Sequence, residues 1–200
     1  MNKTSIEFCD YTWNPIVGCR IGCEYCWAKK FHARFNKGSD FSWPTFYPNR
    51  LEEPYKTKKP SHIFVCSMGD INSNGVPPSW VEKVLEVVRE NPQHTFKFLS
   101  KRPYYFQYFN FPENVWLGTS ISEARFASRV TDLLYCGCKF TRFVVVEPLL
   151  GSMEGVDLSE IDHVFVGAQT GPVSIVPKAE WIASVKHPNL IYKENIKKYL

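Results

Sequence analysis

The chain has 200 residues, 44% of them hydrophobic and 22% charged, enough for one sizeable core with little left for a second, so a single domain over 1–200 is expected. An aromatic share of 16%, with 14 prolines against 11 glycines, excludes a disordered or coiled-coil chain. A formal net charge of +4 favours an anionic partner without establishing one.

A first strand is expected over residues 11–17, followed by a cysteine-bearing loop that enters a helix over 24–35. Pro44, Pro48, Pro54 and Pro60 break up residues 43–60, which read as a long surface connection. Short apolar runs then recur at 63–65, 96–99, 115–117, 143–146 and 164–166, rich in the β-branched and aromatic residues that suit buried strands. Between the first two lies a helix signal, with Ser79 as N-cap, Glu82 three residues on, Val81, Val84, Leu85 and Val88 at helical spacing, and Asn91-Pro92 as the stop. A second helix is expected over 122–135, where Phe126, Val130, Leu133 and Leu134 share a face.

Strand and helix in alternation imply right-handed crossovers and parallel strands. About six strands are too few for a complete eight-stranded barrel of ~250 residues, so an open or partial barrel, or a doubly wound sheet, is expected. Ligand sites in such folds gather at the C-terminal strand ends. Here those ends carry Asp70, Ser100-Lys101-Arg102, Thr119-Ser120, Glu147, and Gly167 with Gln169. Each tail alone is ordinary turn chemistry; five together favour a built site. Glu147, after four apolar residues, needs a partner, and Lys101, Arg102 or a ligand is expected to supply it. No apolar run approaches the roughly 20 residues of a membrane span. Residues 1–10 lack a signal-peptide pattern, so the expectation is a cytoplasmic protein without a membrane partner.

Seven cysteines, an odd number, argue against a disulfide framework and for metal or redox chemistry. Cys19, Cys23 and Cys26 form a C-x3-C-x2-C motif, with Gly18 and Gly22 allowing a tight fold. Three thiolates suit zinc or an iron–sulfur cluster. Structural zinc asks for four closed ligands, and neither Cys9 nor His32 completes a zinc-finger spacing. A four-iron cluster on three cysteines instead leaves one iron open to a small molecule, and this reading is preferred. Cys66 is expected to be a small buried residue. Cys136 and Cys138 sit at a helix-to-strand turn and are too few for an auxiliary cluster, and Cys9 is a spare. The five histidines show no i, i+4 pair and no metal site.

With Tyr25 just before its last cysteine, the motif resembles the signature of the radical S-adenosylmethionine (radical SAM) superfamily. A closer resemblance, over roughly residues 5–172, is to an uncharacterised phage and bacterial family, the three-Cys-motif proteins. It is carried by Ser5-Ile6-Glu7, Thr12-Trp13-Asn14-Pro15, and the blocks at 65–70, 95–103 (TFKFLSKRP), 114–120 (NVWLGTS), 147–151 (EPLLG) and 167–172. The chain departs from that family in the short gap between its first two cysteines, in Cys9 where threonine is usual, and in Gln169 where glutamate is usual.

The resemblance implies a partial (β/α)6 barrel of parallel strands with the cysteine loop after the first strand. It implies an enzyme in which a [4Fe-4S] cluster on Cys19, Cys23 and Cys26 reductively cleaves S-adenosylmethionine, fed by an external electron donor. Tyr25 would pack near the adenine. Met68, Gly69 and Asp70 would receive the cofactor's ammonium group, and Lys101 or Arg102 its carboxylate. Ser100, Thr119 and Ser120 would serve the ribose. Glu147, Gly167 and Gln169 would line the remaining edge; Lys193 could close the barrel mouth, with a surface lysine at a helix end as the preferred reading. The substrate is unknown, a small molecule or a nucleic acid, with a partner protein as a further candidate. The alternative is a non-catalytic nucleic-acid-binding module stabilised by zinc or a cluster, motivated by Lys29, Lys30, Arg34 and Lys37 interleaved with Phe31, Phe35 and Phe41.

Overall fold

Pro15 divides the first expected strand, since proline lacks the amide N–H that a ladder needs. In the computed structural model, which describes residues 1–36, 38–137, 139–171 and 174–200, that segment becomes two short strands. β1 (Asn2–Lys3) pairs antiparallel with β2 (Tyr11–Trp13), and beyond the proline comes β3 (Ile16–Val17). The protein is α/β with mostly parallel strands and divides into two compact units: residues 1–100 with 108–116, and residues 101–107 with 117–200.

In the first unit the chain passes from β3 through the cysteine loop into α1 (Trp27–Phe35). β4 (Thr45–Phe46) then returns to pair antiparallel with β3. The rest of the proline-rich connection adds two 3-10 turns, Pro48–Arg50 and Pro54–Lys56, each with proline in its first turn. β5 (His62–Val65) lies parallel to β2, and β6 (Thr95–Ser100) parallel to β5, in a register that aligns Trp13 with Val65 and Val65 with Phe98.

The core of this unit follows from those runs. Trp13, Ile63, Val65, Phe96 and Phe98 are buried, at roughly 1.5–3 kcal/mol for each large apolar side chain removed from water. The Trp13 indole N–H finds the Arg50 carbonyl at 2.7 Å. α2 (Pro78–Glu90) buries Val81, Val84, Leu85 and Val88, the face the spacing predicts, and Asn91 stops it as expected. Its start differs from expectation. Pro77 occupies the cap position and Pro78 the first turn, so Ser79 lies inside the helix and caps nothing. Proline's fixed φ and missing N–H suit that first turn.

The second unit holds β7 (Val115–Ile121, from Leu117 onward), β8 (Thr141–Val146), β9 (His163–Val166) and β10 (Leu190–Tyr192) in that order. β8 and β9 are parallel, as are β9 and β10. The helix expected over 122–135 is shorter, a 3-10 turn at Ala124–Phe126 followed by α3 (Ser128–Leu134), and it buries Val130 and Leu133. α4 (Ala179–Ser184) and α5 (Glu194–Lys197) complete the unit. β1, two residues long, is not signalled by any apolar run, whereas β10 coincides with the apolar run Leu190-Ile191-Tyr192. Among the described residues no helix is long and apolar enough to cross a membrane.

Candidate functional site

Gly18 carries the chain out of β3 at φ +105°, a conformation that disfavours any side chain; a Cβ there would stand 2.9 Å from the Phe41 carbonyl oxygen. Its N–H donates to the Met68 carbonyl at 3.0 Å, and Gly18 and Gly69 form a parallel bridge. The next amide, Cys19, donates to the Phe41 carbonyl at 2.8 Å, and the Arg20 amide donates to Ser73 Oγ at 2.8 Å. The cysteine loop is thereby fastened on one side to the stretch after β5 and on the other to the segment after α1.

Cys19, Cys23 and Cys26 are free and half-buried. Cys26 is the N-cap of α1, its Sγ accepting from the Lys29 amide at 3.4 Å, and Cys19 Sγ accepts from the Ile21 amide at the same distance. Burial pushes the Cys19 thiol up to about 11; the Ile21 amide opposes the rise, and the charges of Asp70 and Cys23 add to it. Val17, Ala28 and Phe41 form a small core under the loop, against which Cys19, Cys26, Tyr47 and Met68 pack. The donor set fits an iron–sulfur cluster by its chemistry: three soft sulfurs on one loop, two of them already accepting amide N–H groups. Among the described residues no three His, Cys, Asp or Glu side chains are gathered tightly enough to hold a single metal ion.

Behind the loop, Asn14 Oδ1 accepts from the Met68 amide at 2.8 Å and from Ser67 Oγ at 3.2 Å, fixing the turn after β5. Asp70 is buried at 5% exposure. Its Oδ1 accepts from Ser100 Oγ at 2.8 Å and from the Asn72 amide at 2.9 Å. Met68, Gly69, Asp70 and Ser100 thus stand with the cysteine loop in the first unit, and Tyr25 is a half-buried member of that loop.

The first unit also contains a cleft of about 460 Å³. Trp27 and Phe31 of α1 form part of its wall, with His32, Asn36, Lys3 and Arg50, and it reaches Asn14 and Met68.

The remaining candidates lie in the second unit. Arg102 donates to the Tyr105 hydroxyl at 2.6 Å and stacks on that ring, and Lys101 is half-buried. Thr119 is fully buried within β7; Ser120 Oγ donates to the Glu147 carbonyl at 3.3 Å. Gln169 Oε1 accepts from the Ile175 amide. The expected partner of Glu147 is corrected: Lys193 Nζ reaches one carboxylate oxygen at 2.5 Å and Asn195 Nδ2 the other at 2.7 Å, in place of Lys101 or Arg102. Lys193 is accordingly no surface lysine. It is 7% exposed, because the 2.8 Å bond from its amide to the Val166 carbonyl brings the residue after β10 against the end of β9.

A family model described as a protein of unknown function (DUF5131) matches residues 3–191. The chain belongs to the DUF5131 family. No curated protein and no solved structure matches it.

Three features of this DUF5131 chain escaped the sequence reading. Asn14, which no motif marks as functional, organises the 67–68 turn through its side chain. Asn195 holds Glu147 and also both backbone groups of Ala168, each at 3.1 Å. Phe41, grouped with Phe31 and Phe35 in the basic aromatic segment, is buried at 5%, while Trp27 is exposed. Lys37 and Cys138 lie outside the described residues. Cys66 is buried, as expected, and turns the chain out of β5 at φ +57°.

Proposed function

We propose that this DUF5131 protein is a radical SAM-type enzyme whose Cys19, Cys23 and Cys26 hold three irons of a [4Fe-4S] cluster, S-adenosylmethionine taking the fourth. The observation that carries the reading is the backbone seam between Gly18 and Gly69. It sets the three-cysteine loop directly beside Met68-Gly69-Asp70, so a small molecule on the open side of the loop would have a buried carboxylate within the same unit. With one electron from an external donor, the bound cluster and cofactor would supply reductive cleavage of the cofactor's C5'–S bond, giving methionine and a 5'-deoxyadenosyl radical able to take hydrogen from a substrate.

The chain's own residues have narrower tasks. The Ile21 and Lys29 amides donate to two of the sulfurs, which stabilises them as anionic ligands. Asp70, fixed by Ser100 and the Asn72 amide, offers a negative acceptor to an ammonium group. Asn14 holds the Met68 peptide in place. The partial (β/α)6 barrel and a cytoplasmic setting belong to the same proposal, whose site residues are those of the first unit.

The test is anaerobic reconstitution with iron and sulfide. The expected results are a paramagnetic signal in the reduced protein that changes on adding S-adenosylmethionine, and 5'-deoxyadenosine formed by wild type but not by Cys23→Ala. Stoichiometric zinc without such a signal overturns the proposal and favours a structural metal site.

A further inference from the structure

One face of α1 is aromatic and open to solvent. Trp27, Phe31 and Phe35 recur at i, i+4 and i+8, with 52%, 48% and 60% of their surfaces exposed. Their rings form a ladder, with centroids 6.4 Å apart for Trp27 and Phe31 and 4.6 Å for Phe31 and Phe35. Large apolar side chains presented in a contiguous row mark a binding surface. The row's surroundings narrow what it binds. α1 contains Lys29, Lys30 and Arg34 and no acidic residue, and Arg34 lies over the Phe35 ring at 5.3 Å.

The ladder leads into the first-unit cleft, because Trp27 and Phe31 are also part of its wall. At about 460 Å³ the cleft falls in the range of about 300–1,000 Å³ typical of sites for ligands of nucleotide size. Its charged lining is mainly basic, from Lys3 and Arg50. Arg50 sits 4.1 Å from the Tyr47 ring, a second cation on an aromatic face. The one acid lining it, Glu53, accepts the Met1 amino group at 2.5 Å, which offsets its charge. Near α1, Asp40 is bonded to Ser42 and faces Lys29 and His32.

We propose that this surface binds single-stranded nucleic acid, bases stacking along Trp27, Phe31 and Phe35 while one nucleotide enters the cleft with its phosphate towards Arg50 and Lys3. Stacked rings with interleaved cations are the chemistry that grips single strands without reading sequence. A purely apolar partner would leave the cations unused, and a basic partner would be repelled by them. The geometry deepens the enzyme reading by naming its substrate class: Cys26 caps the helix whose first residue, Trp27, walls the cleft, so the bound nucleotide and the cysteine loop share one short segment.

The test reads binding separately from chemistry. Fluorescence anisotropy is recorded with labelled oligo-dT and oligo-rU of about 20 nucleotides, on protein with and without reconstituted cluster. Micromolar binding to at least one is expected, weakening as salt rises from about 50 to 200 mM, and the two oligomers distinguish DNA from RNA. Phe31→Ala and Phe35→Ala should each weaken it roughly tenfold with the melting temperature retained, and Lys30→Glu should flatten the salt dependence. No binding to either oligomer, or affinity unchanged in both phenylalanine variants, overturns the proposal. So does a wild-type dimer by sedimentation that Phe31→Ala dissociates, since a second copy would then cover the face. Binding without 5'-deoxyadenosine formation overturns the enzyme reading and leaves this one standing.

Discussion

Gly69 lies so close to Gly18 that a Cβ on Gly69 would stand 2.9 Å from the Gly18 carbonyl oxygen and 3.4 Å from that of Ile16. Both neighbours are backbone, so neither swings aside as a side-chain end would. Gly69→Ala therefore has to move the strand into the cysteine loop or the turn after β5. We expect a loss of about 1–3 kcal/mol, the usual cost of forcing added volume into a packed site, and a marked fall in iron bound per chain after reconstitution. Thermal melting and iron analysis of the same samples check it; full iron occupancy would show that the seam does not set the loop.

The Asp70 carboxylate depends on Ser100 in the same way. Ser100 Oγ donates to it at 2.8 Å across a separation of 30 residues, in a fully buried setting. Ser100→Ala removes a hydrogen bond to a charged group, which costs about 1.5–3 kcal/mol. Urea unfolding should register that loss. Calorimetric affinity of the reconstituted protein for S-adenosylmethionine should fall with it, whereas an unaltered affinity would separate Asp70 from the cofactor.

The seam and Asp70 show how far the sequence could be read. The parallel apolar strands were legible because buried strands carry continuous β-branched and aromatic runs. So was the α2 face, because Val81, Val84, Leu85 and Val88 repeat at helical period. β1 was not, since two exposed polar residues give no period to detect; β10 has the apolar run Leu190-Ile191-Tyr192 but buries none of it fully. The three cysteines announced themselves by spacing. The Lys193 partnership did not: it joins residues 46 apart in sequence, and no local pattern encodes such a pairing. Nor could periodicity tell which aromatics of the 27–41 segment turn inward. Phe41 lies after α1 and fills the small core under the loop, while Phe31 and Phe35 take the outer face of α1.

Lys97 introduces a pH dependence. It lies in the middle of β6 at 3% exposure, its ammonium 3.5 Å from the Trp116 ring centroid and 6.0 Å from that of Phe8. Burial lowers its pKa from 10.5 to about 8, against the pull of Cys9 and Asp10. A pKa depressed in the folded state means that the unfolded chain binds more protons between those two values, so this residue adds stability as pH rises through 8 and withdraws it as pH falls back. Lys97→Met should abolish that dependence. The stability gap between variant and wild type should change by about 2 kcal/mol between pH 7 and pH 10.5, the full linkage value being discounted for solvent screening. Denaturant curves of both proteins at the two pH values decide it, and a constant gap would remove Lys97 as the source.

In the second unit, Glu147 is held from two sides. Lys193 Nζ lies 2.5 Å from Oε2 and Asn195 Nδ2 2.7 Å from Oε1, while Gly167 gives the carboxylate room, since a Cβ there would stand 2.6 Å from Oε1. The Lys193 side chain is 9% exposed and that of Glu147 is 24% exposed. Removing the cation leaves a largely desolvated carboxylate with its charge uncompensated, the situation in which breaking a pair costs far more than the pair contributes. Lys193→Met should destabilise the chain by about 2–3 kcal/mol, somewhat below the cost for a fully buried pair because Glu147 retains some contact with water. Glu147→Gln in the Lys193→Met background should recover much of that loss, because a neutral amide no longer needs the cation and can still accept from Asn195. Urea unfolding of wild type, the two single variants and the double variant gives the coupling between the residues. A double variant whose loss equals the sum of the single losses would show that the two side chains do not act as a pair.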